Sequence, residues 1–227
     1  MLFHHAKIDY FMVFKLLARN NLSMVNHNSN RTSGKIRITG GRWCGRKLPV
    51  LNSPGLRPTL GRVRETLFNW LAPVIQEAHC LDCFAGSGAL GLEALSRGAA
   101  SVTLLEKNRT VSKQLAKNLQ VLQAHKAKII TANSLLWLEQ QSDVFNVVFI
   151  DPPFRNGLIT KTVIALEQNR CLAYDAWIYI ETSAENLAFK VPAHWQLHRK
   201  KVARQVTYRL YICHETPQKH YNTDYTD

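Results

Sequence analysis

His79-Cys80-Leu81-Asp82-Cys83-Phe84, followed at once by Ala85-Gly86-Ser87-Gly88-Ala89-Leu90-Gly91, decides the fold. The first six residues read as a buried strand. The glycines then mark a sharp turn, and the apolar residues after Gly88 open a helix. Gly86, Gly88 and Gly91 form a G-x-G-x-x-G between strand and helix, where the backbone can turn tightly and approach a ligand closely. Alone, this loop fits NAD and S-adenosylmethionine equally well, and some ordinary turns share it.

The same rhythm repeats along the chain beyond this stretch. Strands are predicted at 79–84, 101–106, 127–131, 145–150 and 176–181, with helices at 89–97, 109–122, 134–140 and 158–168. Such alternation predicts an α/β fold of Rossmann-like type, a mostly parallel sheet with helices on both faces. After Pro192, Trp195–Lys201 and Gln205–Cys213 read as an antiparallel hairpin closing that sheet. Upstream, Lys35–Thr39 alternates and meets Gly40-Gly41 before a basic stretch through Val50, which predicts a β-hairpin with a glycine turn. A Pro/Gly loop spans Asn52–Pro58. Leu60–Leu71 has helical spacing, with Thr59 as N-cap. The expected organisation is a flexible segment at 1–34, a basic extension at 35–72, a catalytic domain at 73–214 and a flexible tail at 215–227. Residues 1–23 differ in character from the rest and lack a secretory cleavage pattern. They are expected to be disordered or absent from the natural product, with translation starting at Met24. No internal repeat is visible.

The net charge is +13. A balance this basic calls for a polyanionic partner, nucleic acid or an anionic membrane surface. Its distribution is informative: from Arg31 to Arg64 there are nine Lys or Arg and no Asp or Glu. A second basic cluster comprises Arg199, Lys200, Lys201, Arg204 and Arg209. No run approaches the roughly 20 apolar residues of a membrane helix. Cys80 and Cys83 form a C-x-x-C, but on a strand residues three apart face opposite sides, so they cannot share a metal ion. Buried, unreactive thiols in a reducing cytoplasm are expected, and no metal.

Three features fall at the C-terminal ends of the first, second and fourth of these strands, where open α/β sheets bind ligands. One is the glycine loop. Another is Glu106, placed to accept hydrogen bonds from both ribose hydroxyls of an adenosine cofactor. The third decides the chemistry: Phe145–Ile150 runs directly into Asp151-Pro152-Pro153-Phe154. Successive prolines fix the preceding residues in extended geometry, so the carbonyls of Asp151 and Pro152 are aimed rigidly. A carboxylate, an aimed carbonyl and an aromatic ring suit an amine conjugated to a ring. The two acceptors take its N–H hydrogens, which frees the nitrogen lone pair, while Phe154 stacks on the base. A dehydrogenase has no use for such a group.

This combination resembles the Rossmann-like methyltransferases with an Asp/Asn-Pro-Pro-aromatic motif, which act on exocyclic amines of bases or on a protein glutamine amide. Ile36-Arg37-Ile38-Thr39-Gly40-Gly41-Arg42-Trp43, Gly45-Arg46-Lys47-Leu48-Pro49, Gly55-Leu56-Arg57-Pro58-Thr59 and Arg62-Val63-Arg64-Glu65-Thr66-Leu67-Phe68-Asn69-Trp70-Leu71 are similar to the RsmD family. The likeness runs from about Lys35 to Cys213. It implies methylation of N2 of one guanine in bacterial 16S ribosomal RNA, with S-adenosyl-L-methionine as cofactor. It further implies that Asp82, Phe84, Gly86 and Gly88 line the cofactor pocket, that Glu106 holds the ribose, and that Asn133 and Ser134 sit near the adenine. Asp151, Pro152, Pro153 and Phe154 would hold the guanine, and Thr59, Arg62 and Glu65 would close the site. The basic residues expected to face RNA are Arg37, Arg42, Arg46, Lys47, Arg57, Arg62 and Arg64. The expected partner is 16S rRNA within an assembled or partly assembled small subunit, met by a cytoplasmic monomer. Three rivals remain at this stage: adenine-N6 methylation of DNA or another RNA, an NAD-dependent oxidoreductase, and a non-catalytic RNA-binding assembly factor.

Overall fold

The computed structural model describes residues 32–51, 61–153, 157–184 and 189–214. Residues 1–31, Asn52–Leu60, Phe154 and the tail from Glu215 lie outside the described residues. With them go the expectations placed on the start of the chain, the Thr59 cap, Arg57 and the aromatic residue of the tetrapeptide.

Nine strands are described: β1 (Thr32–Arg37), β2 (Lys47–Leu51), β3 (His79–Asp82), β4 (Ser101–Leu105), β5 (Ala127–Ile130), β6 (Phe145–Ile150), β7 (Leu172–Ser183), β8 (Trp195–Ala203) and β9 (Val206–Cys213). The α-helices are α1 (Gly61–Trp70), α2 (Ala89–Ser96), α3 (Arg109–Leu122), α4 (Ser134–Leu138) and α5 (Leu158–Gln168). β3 to β9 form one seven-stranded sheet in the order β5-β4-β3-β6-β7-β9-β8. β3 to β7 are parallel, and β9 and β8 are added antiparallel. The predicted α/β sheet with a closing hairpin is therefore what forms. Its last parallel strand begins at Leu172 rather than 176, because Phe145 pairs with Leu172 across a register shift before the regular ladder starts at Val147.

The helices form where local chemistry permits. Asn108 caps α3 by accepting from the N–H groups of Thr110 (2.9 Å) and Val111 (3.3 Å). Asn133 caps α4 by accepting from Leu135 N–H at 3.0 Å. The sheet is covered on both faces, which is why Val147–Ile150 are all buried. On one face Cys80, Val102, Val147 and Phe149 pack with α2, α3 and α1; on the other Leu81, Cys83, Val148 and Ile150 pack with α4 and α5. Cys80 and Cys83 thus belong to opposite sides, and burial pushes both thiols well up, so they stay protonated.

The expected N-terminal hairpin forms, but its connection is longer than the two glycines. β1 and β2 are joined through 38–46, which includes a short 3-10 turn at Gly41–Trp43. Gly40 and Gly41 also serve close approach. A Cβ on Gly41, whose φ is +73°, would lie 1.8 Å from the Ser96 carbonyl oxygen at the end of α2. Polar contacts weld this junction. Ser96 Oγ donates to the Gly40 carbonyl (2.6 Å) and accepts from Trp43 N–H (2.9 Å). Glu93, with no exposed surface, accepts from Thr39 N–H at 2.8 Å, Thr39 Oγ1 at 2.7 Å and Arg97 Nε at 2.9 Å. Ile36, Leu48, Leu67 and Phe68 share the apolar core of the sheet. The described residues of 35–72, in the hairpin and α1, are thus packed into the same core as the parallel sheet. Among the described residues no helix is long and apolar enough to cross a membrane.

Candidate active site

Strand order reverses between β3 and β6: the chain goes from β3 to β4 and β5 on one side, then returns to β6 and β7 on the other. A crevice opens at such a point, beyond the C-terminal ends of the strands. Asp82 ends β3 there, fully buried. Its carboxylate accepts from Gly91 N–H (3.2 Å) and Phe84 N–H (3.4 Å), folding the loop back onto the strand. Within the loop Gly88 has φ +76°, and a Cβ on it would stand 2.4 Å from Leu115 of α3. Glu106, just past β4, accepts from Gly86 N–H at 3.0 Å and Asn108 N–H at 2.7 Å. One carboxylate thus ties the glycine loop to the start of α3. Gly86 and Ser87 border a small crevice with Val50, Leu51 and Gln114, so β2 adjoins the loop.

Burial is the main reason that Asp82 is pushed up to about 7, partly offset by the Gly91 and Phe84 hydrogen bonds. The consequence for stability has a definite sign. Below about pH 4 the carboxyl is protonated in folded and unfolded chains alike. Between there and about 7 the unfolded chain releases the proton and the folded chain retains it, so stability falls as pH rises. Asp82→Asn is expected to flatten this decline by a few kcal/mol in urea unfolding between pH 4.5 and 7.5. Parallel declines in the two proteins would contradict it.

Ser134 Oγ, buried, donates to the Cys83 carbonyl and so joins α4 to the end of β3. Asn133 is exposed beside it, and Phe84, half-buried, packs against the apolar core of the second face, as Ile130 and Trp137 do. Glycine loop, Glu106 and the Asn133-Ser134 pair therefore line the ends of three adjacent strands.

β6 pairs with β3 on one side and β7 on the other, so Asp151-Pro152-Pro153 emerges at the centre of the sheet. Pro152 is buried; Asp151 and Pro153 are half-buried. Phe149 pairs with Tyr179 and Ile150 with Ile180, which sets Asp151 beside Glu181 on the next strand. Tyr179 donates its hydroxyl to Glu181 Oε2 at 2.7 Å. Burial, then the charges of Glu181 and Asp151, hold the Tyr179 phenol well above its usual range. Tyr208, opposite Glu181 on β9, stacks on Trp70 of α1 with ring centroids 5.4 Å apart.

The family model described as "Conserved hypothetical protein 95" matches residues 36–212. Ribosomal RNA small subunit methyltransferase D of Escherichia coli strain K12 is 61% identical over 186 residues, 82% of this chain and 92% of the relative. This chain belongs to that family. The Haemophilus influenzae member is 50% identical over 182 residues, covering 78% of this chain and 94% of the relative. A solved structure, putative methyltransferase yhhF from Escherichia coli, superposes with a TM-score of 0.75 at 58% identity, covering 79% of this chain and 98% of that one. The match to the methyltransferase D family begins inside β1, so hairpin and α1 are as much part of the family fold as the sheet.

Among the basic residues expected to face RNA, Arg37, Arg42, Arg46, Lys47 and Arg62 are exposed. Arg46 also reaches the Val121 carbonyl at 3.3 Å, and the Arg42 guanidinium lies 5.7 Å from the Trp43 ring centroid. Arg64 is a correction. It is 4% exposed, donates to the Arg37 carbonyl at 2.8 Å and meets Glu93 at 3.5 Å. It is a bracket between hairpin, α1 and α2, turned away from any phosphate. Arg209, in the second cluster, is likewise buried and donates to Thr182 Oγ1 at 3.2 Å. Arg199, Lys200 and Lys201 do face solvent, on the edge strand β8.

Two carboxylates escaped the sequence reading. Glu93 lies in mid-helix among apolar residues and carried no motif. Glu181 could have been found: it closes a predicted strand at the same sheet end as Glu106 and Asp151. Elsewhere Glu167, His194 and Cys213 approach within 4.8 Å of one another, but Glu167 already accepts from Trp195 Nε1 at 2.7 Å.

Proposed function

We propose that this chain transfers the methyl group of S-adenosyl-L-methionine to the exocyclic N2 amine of one guanine in 16S ribosomal RNA. It does so as a cytoplasmic monomer acting on an assembled or partly assembled small subunit. The carrying observation is that Asp151-Pro152-Pro153 ends the strand next to the glycine-loop strand, at the switch point of the sheet. Family membership, through relatives named for small-subunit ribosomal RNA, supports the substrate class.

The residues present fit the cofactor. Glu106 offers a carboxylate at the end of β4 for two vicinal hydroxyls, and the glycine loop admits a ligand against backbone. Asp82 shapes that loop from beneath, and Asn133 and Ser134 lie one strand further on for the adenine. When bound, S-adenosyl-L-methionine supplies a methyl on a sulfonium, whose C–S electron pair leaves with sulfur as the guanine N2 lone pair bonds to carbon. Asp151 and the Pro152 carbonyl accept the two N2–H hydrogens and draw the lone pair out of conjugation. The nitrogen becomes acidic as the new bond forms, so Asp151 need not be a strong base to receive its proton. Positioning supplies most of the acceleration, on the order of 7–11 kcal/mol for well-oriented reactants. Phe154 supplies the stacking face.

A paired guanine cannot reach this crevice, so the base is flipped out at a cost of a few kcal/mol. Phosphate contacts by Arg37, Arg42, Arg46, Lys47, Arg57 and Arg62 offset that cost without reading sequence. Replacing Arg42 and Arg46 together with Ala is expected to weaken small-subunit binding and reduce its salt slope by roughly two phosphate contacts. Cofactor affinity should be unchanged. Equal slopes for the two proteins would remove the hairpin from the RNA interface.

The direct test is incubation of the protein with undermethylated small subunits and labelled S-adenosylmethionine, followed by nucleoside analysis. Label in N2-methylguanosine is expected. Label in N6-methyladenosine, or retention of NAD in place of S-adenosylmethionine, would overturn the reading.

A further inference from the structure

An acceptor pair at Asp151 and Pro152 holds an amine but does not say which base carries it. On its pairing edge guanine sets a ring N1–H, a donor, beside the N2 amine. Adenine sets a bare ring N1, an acceptor, beside its N6 amine. What stands next to Asp151 therefore decides between them.

Glu181 stands there. It follows Ile180, the partner of Ile150, so it lies one strand across from Asp151, about 5 Å away in the sheet direction. Phe149 and Tyr179 are paired and belong to the same apolar face, so Asp151 and Glu181, each two residues on, continue on that face. Glu181 is only 6% exposed, and a carboxylate is seldom so buried unless it is bound or used. The Tyr179 hydroxyl orients it from below by donating to Oε2. That bond takes one of a carboxylate's roughly four acceptor positions and sets its direction. Tyr208, paired with Glu181 and stacked on Trp70, braces it from the other side, and Tyr208 in turn meets Thr66 of α1. Arg209 pairs with Ile180 instead, and so faces the opposite side.

We propose that Glu181 is the specificity-determining residue for the base: its carboxylate accepts the guanine N1–H while Asp151 and the Pro152 carbonyl hold the N2 amine. An adenine in the same place would press its N1 lone pair against a desolvated carboxylate. The inference rests on the guanine-N2 reading above and adds the group that enforces it.

The test uses small subunits reconstituted with 16S rRNA carrying either guanine or 2-aminopurine at the methylated position. The analogue keeps the amine but has a bare N1. The wild-type protein is expected to favour guanine by roughly 10³-fold or more in kcat/KM, the scale on which sites built around a hydrogen bond reject a partner lacking it. Glu181→Gln, whose amide can turn an N–H toward a bare N1, should lose at least roughly tenfold on guanine and shrink the preference to within about tenfold. Tyr179→Phe keeps the ring and the carboxylate, and should weaken the preference only severalfold. Cofactor affinity and melting temperature report on folding of both variants. Glu181→Gln losing activity equally on both bases, or retaining full activity on guanine, overturns the proposal. Should Glu181→Gln fail to fold, a Tyr179→Phe preference equal to that of the wild type overturns it. Wild-type protein inert on guanine-bearing subunits would instead overturn the function proposed above, so the two failures are distinct.

Discussion

Asp151→Ala is expected to lower the single-turnover rate of methyl transfer by roughly 10³-fold or more, with S-adenosylmethionine affinity within about threefold of the wild type. The size follows from what is lost. Loss of one preorganised acceptor in a water-poor site costs on the order of 10²–10³ in rate, and here the same group also positions the nucleophile. Cofactor affinity is expected to survive because the loop is shaped by Asp82 and Glu106, on β3 and beyond β4. The Tyr179 hydroxyl keeps its bond to Glu181, so the substitution does not orphan that buried group. Rapid-quench kinetics with calorimetric cofactor titration separates the two quantities. Near wild-type turnover would end the mechanistic claim.

Glu93→Ala carries the largest expected effect on stability. Its carboxylate joins three elements by way of Thr39, Arg97 and Arg64. Arg64 is already held at a cost: burial opposes its charge, the Glu93 carboxylate is the leading compensation, and its Nε and Nη1 find no hydrogen-bond partner among the described residues. Removing the carboxylate strands a buried guanidinium, a loss of about 3–5 kcal/mol. In a domain of this size that lowers the melting temperature by about 10 °C. Amide exchange should accelerate first across Ile36–Trp43. A fall under about 2 °C would show that the carboxylate is not the clamp described.

These two residues mark what could and could not be read from sequence. Asp151 was legible because two prolines and a preceding apolar strand fix its place. The parallel sheet was legible because each strand and helix declares itself by local periodicity, as Phe145–Ile150 and Arg109–Leu122 do. Glu93 was not legible, since the partner that ties it to the hairpin, Thr39, lies more than fifty positions away along the chain. Charge alone misplaced Arg64 for the same reason: a run of basic residues on a hairpin and helix says nothing of which side faces the core. The glycines at 40 and 41 read as the turn of a hairpin, and what they also serve, close contact with α2, has no local signal. Long-range packing, rather than local pattern, set each of these.

The most direct measurement is mass mapping of 16S rRNA from cells lacking this protein, with the gene returned as wild type or as Asp151→Ala. One guanine is expected to lose a single methyl group in the deletion strain, to regain it with the wild-type gene, and to remain bare with Asp151→Ala. A fully methylated 16S rRNA in the deletion strain, or a missing methyl on adenine, would contradict the account.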